Sequence, residues 1–383
     1  MKRVWGLSSC RGRSQTIIDD FHKQVWLYFS GRTSVLDNTV KSIAKYCVQA
    51  GHLTFGALFA LQSTRKRYRA RDPEMSEQAI ATSGEAELMG NRGDNAALAR
   101  ARAFEKHARS TVQSLSGRFG WATVALFLSI LAAVSTVAAL AIAGHLSYWV
   151  AIPLNAILIY AIFAPLHEAV HDNIAGRHMG LRWLETLIGH ISGFVLLAPY
   201  PGFRQLHLHH HQHTNDPAED PDYWVKSNHY VMVILRCMVI QPVYVLHLYK
   251  IARDPVAMRI FWYEILYLAA YVPIIAGAYA LGWGNELVLL WILPGYIGVV
   301  MCPLMFDWPV HHPHTERRRY ADSAILVFPR PIRLLMDIVF LGHSYHLMHH
   351  LYPRIPFYHY GTAYHALASQ LAAVGVKVRN FDR

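Results

Sequence analysis

Long apolar stretches without charge alternate along this chain with polar stretches rich in histidine. Residues 121–143, 148–166, 265–283 and 287–306 contain no Asp, Glu, Lys or Arg. At a rise of 1.5 Å per residue, about 20 helical residues cross the ~30 Å hydrocarbon layer of a bilayer. These four stretches therefore read as membrane-spanning helices. The short loops 144–147 and 284–286 join them into two hairpins. Neither loop carries Lys or Arg, whereas the other ends carry Arg109, Arg118, Arg177, Arg182, Arg204, Lys250, Arg253, Arg259, Arg317, Arg318 and Arg319. Positive charge stays on the cytoplasmic side, so both hairpins are expected to open there. Two further apolar stretches are interrupted, 183–199 by Glu185 and His190, and 229–248 by Arg236, Gln241 and Pro242. They read as interfacial or partly embedded helices, with two extra spans as the alternative. The expected fold is an all-α integral membrane protein: four transmembrane helices in two hairpins, interfacial helices and a cytoplasmic histidine-rich cap.

Composition agrees with this pattern. The chain is 53% hydrophobic and only 16% charged, against about 25% charged in soluble domains. The net charge of +11 does not imply nucleic acid. Residues 1–74 hold 13 Lys/Arg against 5 Asp/Glu, so most of the basic excess lies outside the histidine-bearing part. Those residues lack the apolar core and cleavage site of a secretory signal, and one account is that translation starts at Met75. Residues 75–120 read as a cytoplasmic lead-in, 121–365 as the membrane domain and 366–383 as a tail. Cys10, Cys47, Cys237 and Cys302 are scattered. They form no CxxC pair, which excludes iron–sulfur and cysteine-type zinc sites.

The 24 histidines are the anomaly. Nine fall in 167–213 and seven in 311–350, beside the ends of the predicted spans. A helix turns about 100° per residue. His167 and His171, at i and i+4, therefore share a face. So do His207, His210 and His211, while His209 and His213 fall on the opposite side. His346, His349 and His350 repeat the second pattern, and His343 lies on the same face. Eight imidazoles aimed at one place require a cation, and their number fits two metal ions with positions left open. Imidazole suits Fe, Zn, Cu and Ni, so ligand type alone does not name the metal. His167-Glu168-xx-His171 also matches the HExxH signature of zinc proteases, where the glutamate is the general base. A one-zinc intramembrane protease would leave both HxxHH clusters without a purpose. With two metals, Glu168 becomes a group that orients an imidazole.

The extended motifs carry a family likeness. Phe203-Arg204-xx-His207…His210-His211-xx-Thr214-Asn215-Asp216-Pro217-xx-Asp220-Pro221-Asp222 and Gly342-His343-x-Tyr345-His346-Leu347-x-His349-His350-Leu351-x-Pro353-x-Ile355-Pro356 resemble the second and third histidine boxes of the membrane fatty-acid desaturase/hydroxylase superfamily. Phe306-Asp307-Trp308 followed by His311-x-Pro313 resembles, in particular, bacterial and cyanobacterial carotenoid (β-carotene) hydroxylases and their desaturase relatives. The resemblance covers roughly residues 120–365. It implies an oxygen-dependent non-haem di-iron oxidase acting on lipid C–H bonds, with O₂ as co-substrate and either a fatty-acyl or a carotenoid substrate. It implies His167, His171, His207, His210, His211, His346, His349 and His350 as ligands, with His311 as a ninth ahead of His312 and His314. Glu168, Asn215 and Asp216 are the candidate catalytic residues of the boxes. The chain has neither the haem-binding HPGG of a fused cytochrome b5-like domain nor a cysteine-ligated ferredoxin segment. Electrons are therefore expected from a separate ferredoxin-like carrier with its reductase, for which Arg204 and Arg317–Arg319 are candidate docking residues. The protein is expected in the cytoplasmic membrane, as a multi-pass protein with its active site on the cytoplasmic side.

Overall fold

The computed structural model describes residues 95–381, so the expectations for residues 1–74 and for most of the lead-in lie outside the described residues. Among the described residues, four helices are long and apolar enough to cross a membrane. They are α2 (Trp121–Ile142), α3 (Tyr148–Val170), α8 (Pro255–Ala280) and α9 (Gly284–His311). α1 (Asn95–Leu115) precedes them. Between the hairpins lie two bent pairs, α4 (Arg182–Val195) with α5 (Tyr200–His213), bent by 98°, and α6 (Tyr230–Cys237) with α7 (Ile240–Ile251), bent by 69°. If each bent pair is one span, the number of spans is six. The protein is an all-α membrane protein, with one small exception. Strand β1 (Ala324–Val327) pairs in parallel with β2 (Lys377–Asn380) near the chain's end. Helices α10 (Arg330–Val339), α11 (His346–Leu351) and α12 (Tyr360–Ala373) lie between the two strands in sequence.

Three spans exceed the charge-free stretches that identified them. α3 and α9 run on past their apolar segments to Val170 and His311, so first-box and last-span histidines ride on the ends of rigid helices. α8 begins at Pro255, ten residues earlier than expected. Asp254 caps it, its side chain accepting from the Val256 and Ala257 N–H groups, and Pro255 occupies the first helical position where its missing donor costs nothing. The extension brings Glu264 into the span, and α9 likewise includes Asp307.

α3 and α9 pack closely. A Cβ at Gly298 would lie 3.1 Å from the Tyr160 backbone nitrogen, so glycine permits the approach. Asn155 Nδ2 donates to Leu290 O at 2.8 Å, tying the two helices together inside the bilayer. α9 carries two π-helical stretches, Val288–Ile292 and Pro303–Asp307, the second one turn before His311. Such stretches interrupt the regular ladder and re-aim the residues that follow. Tyr160, Phe163 and Phe306 stack face to face, with centroids 5.3 and 4.4 Å apart. This aromatic layer belongs to the main buried core, directly below the histidines.

Candidate metal centre

α3 delivers the first box. His167 sits in its last turn, and His171 caps it. α5 packs across this end. Tyr200 Oη donates to Ala169 O at 3.0 Å, and Arg204 donates to Val170 O. Both occupy terminal carbonyls that the helix itself leaves unpaired. α5 carries the second box on a continuous helix. His207, His210 and His211 face α3 and α11, while His209 turns away to pack against His213 at 4.3 Å between ring centroids and approach Glu219 at 3.6 Å. α11 carries His346, His349 and His350, entered through Gly342 in the left-handed region (φ 76°).

The nine expected histidines come together as two groups. His167, His171, His207 and His349 place ligand nitrogens within 4.8 Å of one another, as do His210, His311, His346 and His350. In the first group the Nε2–Nε2 distances are 3.1 Å (His167–His207), 3.2 Å (His167–His349) and 2.9 Å (His207–His171). His211 Nε2 adds a fifth nitrogen, 3.0 Å from His207 Nε2 and 2.8 Å from His349 Nε2. Its ring lies 4.5 Å from both His349 and His350, between the two groups. In the second, His346 and His350 Nε2 are 3.1 Å apart. Burial and the surrounding imidazoles hold His346, His349 and His350 well below the usual histidine pKa, so these side chains are neutral. Neutral rings crowded tip to tip cannot all alternate as donor and acceptor, and a cation among them resolves the conflict.

The outer contacts fix which nitrogen is free. His210 Nδ1 donates to Asp220 Oδ1 at 2.8 Å, and His311 Nδ1 donates to Asp322 O at 3.0 Å. His349 Nδ1 lies 2.9 Å from Tyr360 Oη. A ring whose Nδ1 holds the proton presents the lone pair of Nε2. His311 Nε2 is buried with no protein partner, as a ligand nitrogen would be. Burial works to raise the Asp220 pKa, but the hydrogen bond it accepts from His210 holds it below the usual range. Burial pushes neighbouring Asp222 up to about 6. Nine imidazoles without a thiolate fit two first-row metal ions.

The three expected catalytic residues have other surroundings. Glu168 Oε1 accepts from Asn173 Nδ2 at 3.3 Å and lies 3.9 Å from His167 Nδ1, too far to orient it by a hydrogen bond. Asn173 Nδ2 in turn donates to Pro353 O at 3.0 Å, tying box one to box three. Asn215 donates from Nδ2 to Glu316 O and Asp322 O, both at 2.6 Å. Asp216 accepts from Ala218 N and pairs with Arg317 at 2.5 Å. Neither Asn215 nor Asp216 lines the cavity beside the histidines; both hold a loop. The carboxylates nearest His210 are instead Asp220 and Asp222, at 2.8 and 3.4 Å, at the far end of the same sequence motif, and Asp322 lies 4.0 Å from His350 Nδ1. The arginines proposed for carrier docking are engaged within the chain. Arg204 caps α3, Arg317 pairs with Asp216, Arg318 with Glu316, and Arg319 with Glu105.

A cavity opens beside the two groups. His167, His207, His210, His311, His343 and His346 line its polar end, and Phe163, Leu196, Phe203, Val299 and Phe306 line its apolar walls. An all-α membrane scaffold that presents two groups of buried histidines to an apolar cavity defines a class of protein: membrane proteins with a buried histidine metal site. The family model described as fatty acid desaturase matches residues 143–381, more than half of the chain, and the chain belongs to that family. It is similar to an sn-1 oleoyl-lipid 12-desaturase of Picosynechococcus, with 26% identity over 277 residues, covering 64% of this chain and 75% of that protein. An acyl-lipid omega-3 desaturase (cytochrome b5) of the endoplasmic reticulum of Arabidopsis thaliana is 26% identical over 261 residues, 58% of this chain and 65% of the relative. An sn-1 acyl-lipid omega-3 desaturase (ferredoxin) of Nostoc is 30% identical over 88 residues, 22% of this chain and 23% of the relative.

Proposed function

We propose that this protein is an oxygen-dependent di-iron desaturase of acyl lipids. The observation that carries the reading is the pair of histidine groups at the end of an apolar cavity. His167, His171, His207, His211 and His349 would hold one iron, and His210, His311, His346 and His350 the other. The irons would supply O₂ activation and the removal of hydrogen from an unactivated C–H bond.

The chain's own residues bind, orient and exclude. Asp220 and the Asp322 carbonyl keep the protons of His210 and His311 on Nδ1, leaving Nε2 for the metal. Phe163, Phe306 and Phe203 present ring faces and edges to a hydrocarbon chain and leave no partner for water. Glu168 and Asn173 lock the first box to the third, so the two groups keep their spacing while substrate enters. The single glutamate of a zinc protease would need to face a metal-bound water, but Glu168 turns to Asn173. The relatives named above are desaturases of acyl lipids, which favours an acyl chain over a carotenoid ring. Two of them name ferredoxin and cytochrome b5 as donors, which supports a separate electron carrier here as well. Loops without Lys or Arg at 144–147 and 284–286 support a site on the cytoplasmic side of the cell membrane.

Expression in a host that makes both acyl lipids and β-carotene tests the reading. The expected product is an acyl chain with one added double bond. Hydroxylated carotenoid with an unchanged acyl profile would overturn it.

A further inference from the structure

A second cavity adjoins the first, and the same four elements bound both. α9 offers Ile292 and Tyr296 to the second cavity and Val299 and Pro303 to the first. α8 offers Leu268, Tyr271 and Ile275 to the second and Glu264 to the first. Steps of three and four residues keep each set on one helix face, so a single face of each helix runs past both cavities. The turn between α4 and α5 gives Leu196 to the first and Leu197 to the second, and Gln241 on α7 borders both. No Asp, Glu, Lys, Arg or His lines the second cavity. Its tyrosine hydroxyls are taken up by backbone: Tyr271 Oη donates to Phe194 O at 3.0 Å and Tyr296 Oη to Met238 O at 2.6 Å. Rings and alkyl groups are left to face whatever enters.

The junction between the cavities is a built feature. Gln241 Nε2 donates to Leu197 O at 2.5 Å. Leu197 has φ 61°, a left-handed conformation that a bulky side chain adopts only at a cost. Phe306 packs 5.0 Å from His343, and from there back to Ile292 the α9 face runs about 20 Å at 1.5 Å per residue. Two acyl chains end to end fill the ~30 Å hydrocarbon layer, so one chain is of the right order of length to occupy both cavities. We infer that the acyl chain threads from the histidines through the first cavity and places its methyl end in the second, with Gln241 and Leu197 as the collar between them. The collar fixes how far the chain advances, and so which carbons stand at the histidines. Gln241 is thereby a positioning residue. The inference rests on the first cavity being the lipid site of the proposed desaturase.

The test is photo-crosslinking of the full-length protein in the membranes of its expression host. The host is fed octadecanoic acid carrying a diazirine either at the methyl end or at mid-chain, so that its own lipids carry the probe, and adducts are located by mass spectrometry after irradiation. The methyl-end probe is expected to label Leu268, Ile275 or Ile292, and the mid-chain probe Leu196, Phe203 or Val299. Gln241→Trp, which fills the junction, is expected to cut methyl-end labelling of the second cavity severalfold while iron content stays at the wild-type level. The contrast between the two probes needs no variant and decides the matter if Gln241→Trp fails to fold. Methyl-end adducts confined to the exposed Leu266 and Val272 of α8, or one labelling pattern from both probes, would overturn the inference. So would unchanged second-cavity labelling in a folded Gln241→Trp, since the cavity would then fill from the bilayer and not through the collar. Each of these failures leaves the desaturase reading standing, because new acyl double bonds in the host decide that reading separately.

Discussion

Asp220→Asn is a near-isosteric change that probes the second histidine group without touching a ligand. Asp220 Oδ1 accepts from His210 Nδ1 at 2.8 Å, its Oδ2 accepts from the Asn215 N–H at 2.6 Å, and its Oδ1 also accepts from the Asp222 N–H at 2.9 Å. An amide has one acceptor oxygen where the carboxylate has two. Its Nδ2 must face either His210 Nδ1–H or the Asn215 N–H, donor against donor. A hydrogen bond to a charged group contributes roughly 1.5–3 kcal/mol and a neutral one roughly 0.5–1.5. The difference of about 1–1.5 kcal/mol corresponds to about tenfold in affinity, the lower end of the ~10–100-fold range for partners of metal-bound histidines. The mispaired donor adds a stability loss of about 1–3 kcal/mol. The assay is iron retention in the purified full-length protein during titration with a competing chelator. The variant is expected to lose one iron at about tenfold lower chelator than wild type and to keep the other. Asp216→Asn, which alters a loop away from the cavity, is expected to titrate like wild type. Wild-type retention of both irons in Asp220→Asn would refute the reasoning.

Three further outcomes follow from the same geometry. His311→Ala is expected to lower iron to about one per chain and abolish turnover, whereas the His312→Ala variant, which loses a ring packed against Trp308, keeps both; normal turnover in His311→Ala would remove it from the ligand set. His209→Ala is expected to retain iron and most activity, because its ring packs on His213 away from the site; equal loss in His209→Ala and His210→Ala would defeat the face argument. The pH response follows from His346, His349 and His350, held below the ordinary value of 6.5. The unfolded chain binds protons below 6.5 while the folded site stays neutral, so stability falls with falling pH, by up to about 1.4 kcal/mol per histidine per pH unit. Unfolding temperature measured from pH 7.5 to 5 is expected to decline below about 6.5, and a flat profile would contradict it.

Much of the site was legible because helical periodicity is rigid. α5 runs unbroken through its five histidines, so angles counted from the sequence separate His207, His210 and His211 from His209 and His213. The apolar stretches located the four spans for a similar reason: lipid forbids charge along most of a helix. The ends were less legible. Cutting each span at its first charged residue left Glu264 and Asp307 outside the spans that contain them, where their cost is borne by burial inside the bundle rather than by exposure to lipid. The Asp254-Pro255 start of α8 was a readable cap signal that the hydropathy pattern overrode. Asp220 and Asp222 belonged to a motif already noted, but their contact with His210 depends on how the loop after α5 turns back, with Asn215 in the left-handed region. The β1–β2 pair joins segments about fifty residues apart, and four-residue strands carry too little pattern to be paired from sequence.

The account stands most directly on the metal content of the purified full-length protein. Two irons per chain, bound without zinc, is the predicted result. A single zinc, or iron that never exceeds one per chain under saturating supply, would contradict the claim that the nine histidines form a two-metal centre.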